Sequence, residues 1–226
     1  MIKVESLSKN FGSHQVLKDI RLQFDRGNVY GIVGENGAGK TTLFRCIAGL
    51  ESFSGNISSE LKPLKNHLGF LPTDPNFFPR MTGEEYLQLV CNARKVKYEN
   101  SKEKNLFDLP LQQFAETYST GMKKKLALTA LLLTGNNYFL FDEPFNGVDI
   151  HSNMMITEII LRLKSLGKII IISSHIFSTL NETCDTIFLL REGTIANTVG
   201  KASFAQLEAE MKRYSVGDKV EKFGLR

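Results

Sequence analysis

Apolar residues recur along the chain in two rhythms, one of period two and one of three to four, and these mark out strands and helices. Ile2-Lys3-Val4-Glu5-Ser6-Leu7 alternates apolar and polar residues, which predicts a half-buried strand, and Asp19-Ile20-Arg21-Leu22-Gln23-Phe24 repeats the pattern. Arg26-Gly27-Asn28 reads as a turn before the buried strand Val29-Tyr30-Gly31-Ile32-Val33. A small antiparallel sheet beside a buried core is the expected start of the fold. Thr42-Leu43-Phe44-Arg45-Cys46-Ile47-Ala48 has helical spacing with Gly49 as a stop, and Ser54-Gly55-Asn56 reads as another turn. His67-Leu68-Gly69-Phe70-Leu71 predicts a strand closed by Pro72.

From Asp74 to Tyr118 helical signals replace strand signals. Thr82 with Glu85 forms a capping box, Met81 and Tyr86 sit at staple positions, and Leu87, Val90 and Arg94 follow at helical spacing. This stretch reads as an inserted helical lobe. Leu126, Ala127, Ala130, Leu131 and Thr134 predict one apolar helix face, broken at Gly135-Asn136-Asn137. Tyr138-Phe139-Leu140-Phe141 is a short apolar run ending in acids, and residues 150–166 form an amphipathic helix stopped by Gly167. Lys168-Ile169-Ile170-Ile171-Ile172 is apolar on both faces, as a central parallel strand is. Thr186-Ile187-Phe188-Leu189-Leu190, Glu192-Gly193 and Thr194-Ile195-Ala196 read as a hairpin. A surface helix over residues 202–214 and an irregular end are expected to follow.

Composition narrows the class. The 226 residues suffice for one substantial α/β domain with an appended lobe, and 42% hydrophobic content is ordinary for a globular chain. A net charge of +4, scattered apart from Lys123-Lys124-Lys125, offers no stripe for nucleic acid. That triplet falls on a predicted helix and reads as a solvated face rather than an anion site. Cys46, Cys91 and Cys184 are odd in number and widely spaced, so neither a disulfide framework nor a zinc site is indicated, and a reducing cytosolic compartment fits. No apolar run approaches the roughly 20 residues of a membrane span, and Met1 opens no signal peptide. A partner must carry the chain to any membrane it serves.

The chemistry concentrates in Gly34-Glu35-Asn36-Gly37-Ala38-Gly39-Lys40-Thr41, which fits the G-x-x-x-x-G-K-[ST] phosphate-binding loop. A buried strand precedes it and a helix follows it, as the motif requires. Backbone N–H groups of the glycine turn and of Thr42 converge on a polyphosphate at the positive end of the new helix. Lys40 supplies charge for the β- and γ-phosphates, and the Thr41 hydroxyl suits Mg²⁺. Asp142, at the end of a buried strand, can hold the Mg²⁺ shell, and Glu143 can orient and deprotonate a water. His175 follows the Ile169–Ser173 run and can reach a γ-phosphate, with a structural role as its alternative. His14, His67 and His151 read as surface residues.

In order and near-family spacing, the phosphate loop, Tyr118-Ser119-Thr120-Gly121-Met122, Asp142-Glu143, Asn146-Gly147-Val148-Asp149 and His175 resemble the ATP-binding cassette family, specifically the nucleotide-binding subunit of an ABC transporter. Cys184-Asp185-Thr186-Ile187 with Glu192-Gly193 resembles its terminal hairpin. The resemblance implies an α/β P-loop NTPase fold: a RecA-like parallel-sheet core, an N-terminal antiparallel β subdomain and an inserted α-helical subdomain. It divides one ATP-binding domain into a core of residues 1–73 and 119–200, a helical lobe of 74–118 and a tail of 201–226. It places Phe11 and Val16 against adenine. Ser119 and Gly121 fall in a signature that faces ATP on a second, head-to-tail cassette, and Asp149 falls in the loop crossing between the two sites. The implied cofactors are ATP and Mg²⁺. The implied partners are a transmembrane permease subunit and a second cassette, with no nucleic acid, on the inner face of the cell membrane.

Three departures from the family pattern stand out. Thr120 adds a branched side chain where glycine is usual, as in variant signatures of exporters. Thr73 replaces the glutamine of an L-P-Q-x-P loop and is too short for that residue's reach to metal and water, so its role as a metal ligand stays open. Phe145 stands where threonine or serine is common. The expected function is an ABC-type ATPase powering an exporter. The alternatives are an ATP-gated non-catalytic clamp and a soluble cassette ATPase not tied to transport.

Overall fold

The computed structural model describes residues 1–99, 102–175 and 177–212. Strand β1 (Ile2–Phe11) pairs antiparallel with β2 (His14–Phe24), so both run further than their clearest alternating stretches. A third strand, β4 (Ser54–Ser59), pairs with the other edge of β1. The turn expected at Ser54-Gly55-Asn56 is therefore the start of a strand. Gly55 has a φ of 105°, and a β-carbon on it would stand 2.4 Å from the Ser6 carbonyl oxygen. There the β1–β4 ladder skips from Glu5 to Ser8. The glycine serves a bulge, whose local signal matches that of a turn.

The central sheet holds β3 (Asn28–Val33), β5 (Leu68–Leu71), β6 (Tyr138–Asp142), β7 (Ile169–Ser173), β8 (Thr186–Arg191) and β9 (Thr194–Gly200) in the order β5-β6-β7-β3-β8-β9. All are parallel except the β9 edge. Alternate side chains pack into two cores, which explains the unbroken apolar runs. Tyr30, Ile32, Tyr138, Leu140, Ile169 and Ile171 share one core with Leu43 and Phe44 of α1 (Lys40–Ile47) and with the antiparallel sheet. Val29, Val33, Phe139, Phe141, Ile170 and Ile172 face α3 (Thr120–Leu133) and α4 (Ile150–Ser165).

Helix α2 (Gly83–Ala93) begins with the expected box: the Glu85 amide donates to Thr82 Oγ1 at 3.2 Å, and the Thr82 amide donates to Glu85 Oε2 at 2.8 Å. Tyr86, expected to staple onto Met81, lies edge-on to Phe77 with ring centroids 4.6 Å apart. Helix α3 is not one-sided as expected, because five consecutive residues from Leu126 to Ala130 are buried. It is enclosed by the sheet on one side and the lobe on the other, which removes the solvent face that makes a helix amphipathic. The short α5 (Phe177–Thr183) and α6 (Phe204–Lys212) follow. Phe204 and Leu207 of α6 are buried in the second core, so this expected surface helix is anchored. The remaining expectations for residues 213–226 lie outside the described residues. Among the described residues no helix is long and apolar enough to cross a membrane.

One carboxylate ties three elements together. Asp185 Oδ2 accepts from the Val29 amide at 2.9 Å, and its Oδ1 accepts from Lys164 Nζ at 2.5 Å. Asp185→Ala is expected to lower the unfolding free energy by about 2 kcal/mol, the loss of charge-assisted hydrogen bonds at a half-buried site. An unchanged urea midpoint with unchanged slope would rule this out.

Candidate active site

The phosphate loop, Thr73, Asp142, Glu143 and His175 all leave the carboxyl ends of parallel strands, where such sheets bind ligands. β3 ends at Val33 and passes into the glycine loop, which turns on the Ala38 amide donating to the Glu35 carbonyl at 3.1 Å. α1 starts directly at Lys40, with Gly39 at its N-cap and no side chain capping it. Its first amides are therefore left for an anion. Lys40 Nζ arches back over the loop to the carbonyls of Gly34 at 2.8 Å and Glu35 at 3.2 Å.

Val16, Asn36, Gly37, Gly39, Lys40, Thr41 and Thr42 border a cleft of about 460 Å³, opposite Thr73, Asp142, Glu143 and His175. A second cavity of about 530 Å³ lies between Gly34 to Ala38, residues 189–192 and Met211. It lacks Lys40, Thr41 and both acids, so the smaller cleft is the one equipped for phosphates.

Asp142 is fully buried, and three hydroxyls converge on it. Thr41 Oγ1 donates to Oδ2 at 2.7 Å, Thr73 Oγ1 to the same oxygen at 2.9 Å, and Ser173 Oγ to Oδ1 at 2.5 Å. Asp142 and Ser173 are register partners on β6 and β7. Among the described residues no group of three or more histidine, cysteine or acidic side chains could hold a metal. One carboxylate with neighbouring hydroxyls matches Mg²⁺, which keeps water and phosphate oxygens as its other ligands. Thr73, too short for a glutamine's reach, thus still meets the aspartate.

Glu143 takes a left-handed backbone with φ of 52°, unusual for a non-glycine residue. Its amide donates to Ser173 Oγ at 2.9 Å, and its side chain turns away from that of Asp142 to place Oε2 2.8 Å from His175 Nδ1. The glutamate side chain is 12% exposed and the histidine 51%. The carboxylate is sheltered and the imidazole open, an arrangement suited to holding a water at the cleft mouth.

The lysine triplet is a correction. Lys124 is 1% exposed, and its Nζ donates to the carbonyls of Glu143 at 2.7 Å and Asn146 at 2.8 Å. Burial pulls its pKa below the ordinary lysine value, while the carboxylates of Asp74, Glu143 and Asp142 pull it back up. Lys125 pairs with Asp149 at 3.3 Å and with Ser152 Oγ at 3.1 Å. The sequence predicts a solvated face because residues 143–152 of the same chain, which supply these partners, fold against the helix only in three dimensions. Asp149 caps α4 by accepting from the Ser152 amide at 2.9 Å. That amide, the Ser152 hydroxyl and Lys125 hold its carboxyl well below the usual range.

Phe11, Ser119, Gly121 and Asp149 do not border the phosphate cleft. Ser119 is exposed and caps α3, accepting from the Met122 amide at 3.3 Å. A β-carbon on Gly121 would meet the Gly147 carbonyl oxygen at 2.7 Å, so glycine is required there by close approach of the loop. The Phe11 ring is half exposed and carries Lys9 Nζ 4.5 Å from its centroid. Phe145 is 3% exposed in the second core, which accounts for an aromatic at that position. All three cysteines are free and buried, and burial pushes the Cys46 thiol up to about 11 and Cys184 up to about 12, so neither is a nucleophile. Sequence reasoning gave Ser173 no role beyond the end of its strand and read Lys124 as part of a solvated face. The break from isoleucine to serine at the end of β7 was the available sign of the first.

Comparison with known proteins agrees with this geometry. A family model described as ABC transporter matches residues 17–146. The chain is 29% identical over 96% of its length to the bacitracin transport ATP-binding protein BcrA of Enterococcus faecalis, spanning 75% of that protein. It is 30% identical over 86% of its length to the lantibiotic transport ATP-binding protein SrtF of Streptococcus pyogenes, spanning 89% of it. A solved ATP-binding subunit of an ABC transporter superposes with a TM-score of 0.79 at 27% identity, covering 92% of this chain and 93% of that one. With its nucleotide cleft, mixed sheet and ordered motifs, the chain belongs to the ABC transporter family, in which it is an ATP-binding subunit and an ATPase.

Proposed function

We propose that this subunit hydrolyses ATP between two cassettes and thereby drives export through a separate transmembrane permease on the cytoplasmic side of the cell membrane. One observation carries the reading. The phosphate cleft holds Lys40, Asp142, Glu143 and His175, yet Ser119 and Gly121 lie outside it at the start of α3, where Ser119 is exposed and Gly121 is buried against the Gly147 carbonyl. A helix N-terminus with a serine hydroxyl favours an anion, and this terminus does not border the cleft of its own chain. A second cassette, head to tail, supplies one, and Asp149 then lies in the loop between the two sites. Core residues 1–73 and 119–200 carry the nucleotide, the lobe 74–118 moves with the signature, and residues 201–226 form an appendage. Phe11 and Val16 take the adenine.

In this reading Lys40 and the loop amides hold the β- and γ-phosphates, and Thr41 and Asp142 would hold Mg²⁺, with Thr73 bracing Asp142. When bound there, Mg²⁺ would supply charge neutralisation to the phosphates. Glu143 takes the proton of the attacking water, and His175 orients the carboxylate and meets the γ-phosphate. The relatives' roles in bacitracin and lantibiotic transport support a transport function, and the variant signature supports export.

Ser119→Arg tests the composite site. The variant is expected to bind ATP as a monomer within about two-fold of the parent but to lose ATP-dependent dimerisation in sedimentation, with turnover falling about 10²-fold or more. An ATP-driven dimer equal to the parent's would remove the sandwich.

A further inference from the structure

The turn after β6 is gripped from both sides. On one side the Glu143 amide reaches Ser173 through its hydroxyl at 2.9 Å and its carbonyl at 3.3 Å. On the other, Lys124 Nζ reaches the Glu143 carbonyl at 2.7 Å and the Asn146 carbonyl at 2.8 Å. Asn146 closes the turn by donating its amide to the Glu143 carbonyl at 3.2 Å. Pro144 and the buried Phe145 fix what lies between. A left-handed glutamate persists only where its surroundings hold it. An ammonium with 1% exposure that spends its donors on two backbone carbonyls is costly to bury, so its use here points to orientation.

We propose that Lys124 is a positioning residue for Glu143, clamping its peptide so that the carboxylate faces the cleft and joining it rigidly to the helix that carries Ser119 and Gly121. The inference rests on Glu143 being the base. Lys124 sits on α3 five residues after the Ser119 cap, and its neighbour Lys125 grips Asp149 at the far end of the same loop. Both ends of the segment 143–149 are thus fastened to the signature helix. A displacement of that helix on meeting a second cassette reaches the Glu143 peptide through a single hydrogen bond. Turnover then depends on pairing even though the base and its cleft belong to one chain.

The test compares steady-state hydrolysis, equilibrium ATP binding and thermal melting for the full chain, Lys124→Met and Lys124→Gln. Methionine keeps the bulk and removes the donors, while glutamine keeps an amide able to serve a carbonyl. The expected result is a kcat about ten- to hundred-fold lower in K124M and less reduced in K124Q, with KM and ATP affinity within about two-fold of the parent. A K124M kcat within about two-fold of the parent overturns the proposal. A kcat loss matched by equal loss of ATP binding or of cooperative melting in both variants also overturns it, because a merely structural lysine gives that pattern. Glu143→Gln run alongside separates the two readings. Parental turnover in E143Q removes the base assignment and the clamp with it. An inactive E143Q beside a parental K124M removes the clamp alone.

Discussion

Glu143→Gln is expected to bind ATP as the parent does and to hydrolyse it about 10²- to 10⁴-fold more slowly, the usual weight of a positioned general base. At 1.36 kcal/mol per decade that is about 3–5 kcal/mol of transition-state stabilisation. The substitution keeps the side chain's size and its oxygen near His175 Nδ1, a contact of 2.8 Å in the native site. It removes only the capacity to take a proton. Binding should survive because the loop, Lys40 and Asp142 are untouched. A nucleotide held without cleavage should accumulate the paired state, since a ligand that favours one state shifts the population towards it for as long as it stays bound. Phosphate release and sedimentation with Mg-ATP, both at high protein concentration, read the two effects. Hydrolysis at the parent's rate would show that the base lies elsewhere.

Asp142→Asn should have the second largest effect, and of a different kind. The native carboxylate is 0% exposed and receives Thr41, Thr73 and Ser173 hydroxyls. Asparagine fits the same space but carries no charge and offers one acceptor oxygen in place of two. Hydroxyls can rotate to new partners, so the fold should lose only about 1–3 kcal/mol. The metal interaction has no such recourse. ATP titrations with and without Mg²⁺ should converge for the variant, and turnover should fall about 10²-fold or more, because Lewis-acid stabilisation is worth several kcal/mol. A variant that retains the parent's gain in ATP affinity on adding Mg²⁺ would remove Asp142 from the metal site.

Much of this site was legible in the sequence because its signals are local. The phosphate loop is a run of adjacent residues between a strand and a helix, and the capping box spans Thr82 to Glu85. What escaped depends on contacts between segments far apart in the chain. Ser173 matters because β7 lies beside β6 and puts it in register with Asp142. Lys124 looks solvated until residues 143–146 fold across α3. Gly55 carries the composition of a turn, yet its neighbour in space is a bulge in β1. Phe145 had no reading beside the two acids, and the core explains it. Ser119 and Gly121 are set against the nucleotide of a second cassette only by resemblance; within this chain Ser119 is exposed at the start of α3 and Gly121 is buried beside it.

The three sealed sulfhydryls have a practical corollary. Cys46, Cys91 and Cys184 are each about 1% exposed, so maleimide reagents find little to modify on the native fold. A single cysteine introduced on an open surface becomes the preferred attachment point for a spin or fluorescent label, without first stripping the native ones out of their packing. Spectroscopic distances between labels on two protomers could then follow the approach of one cassette to another in real time.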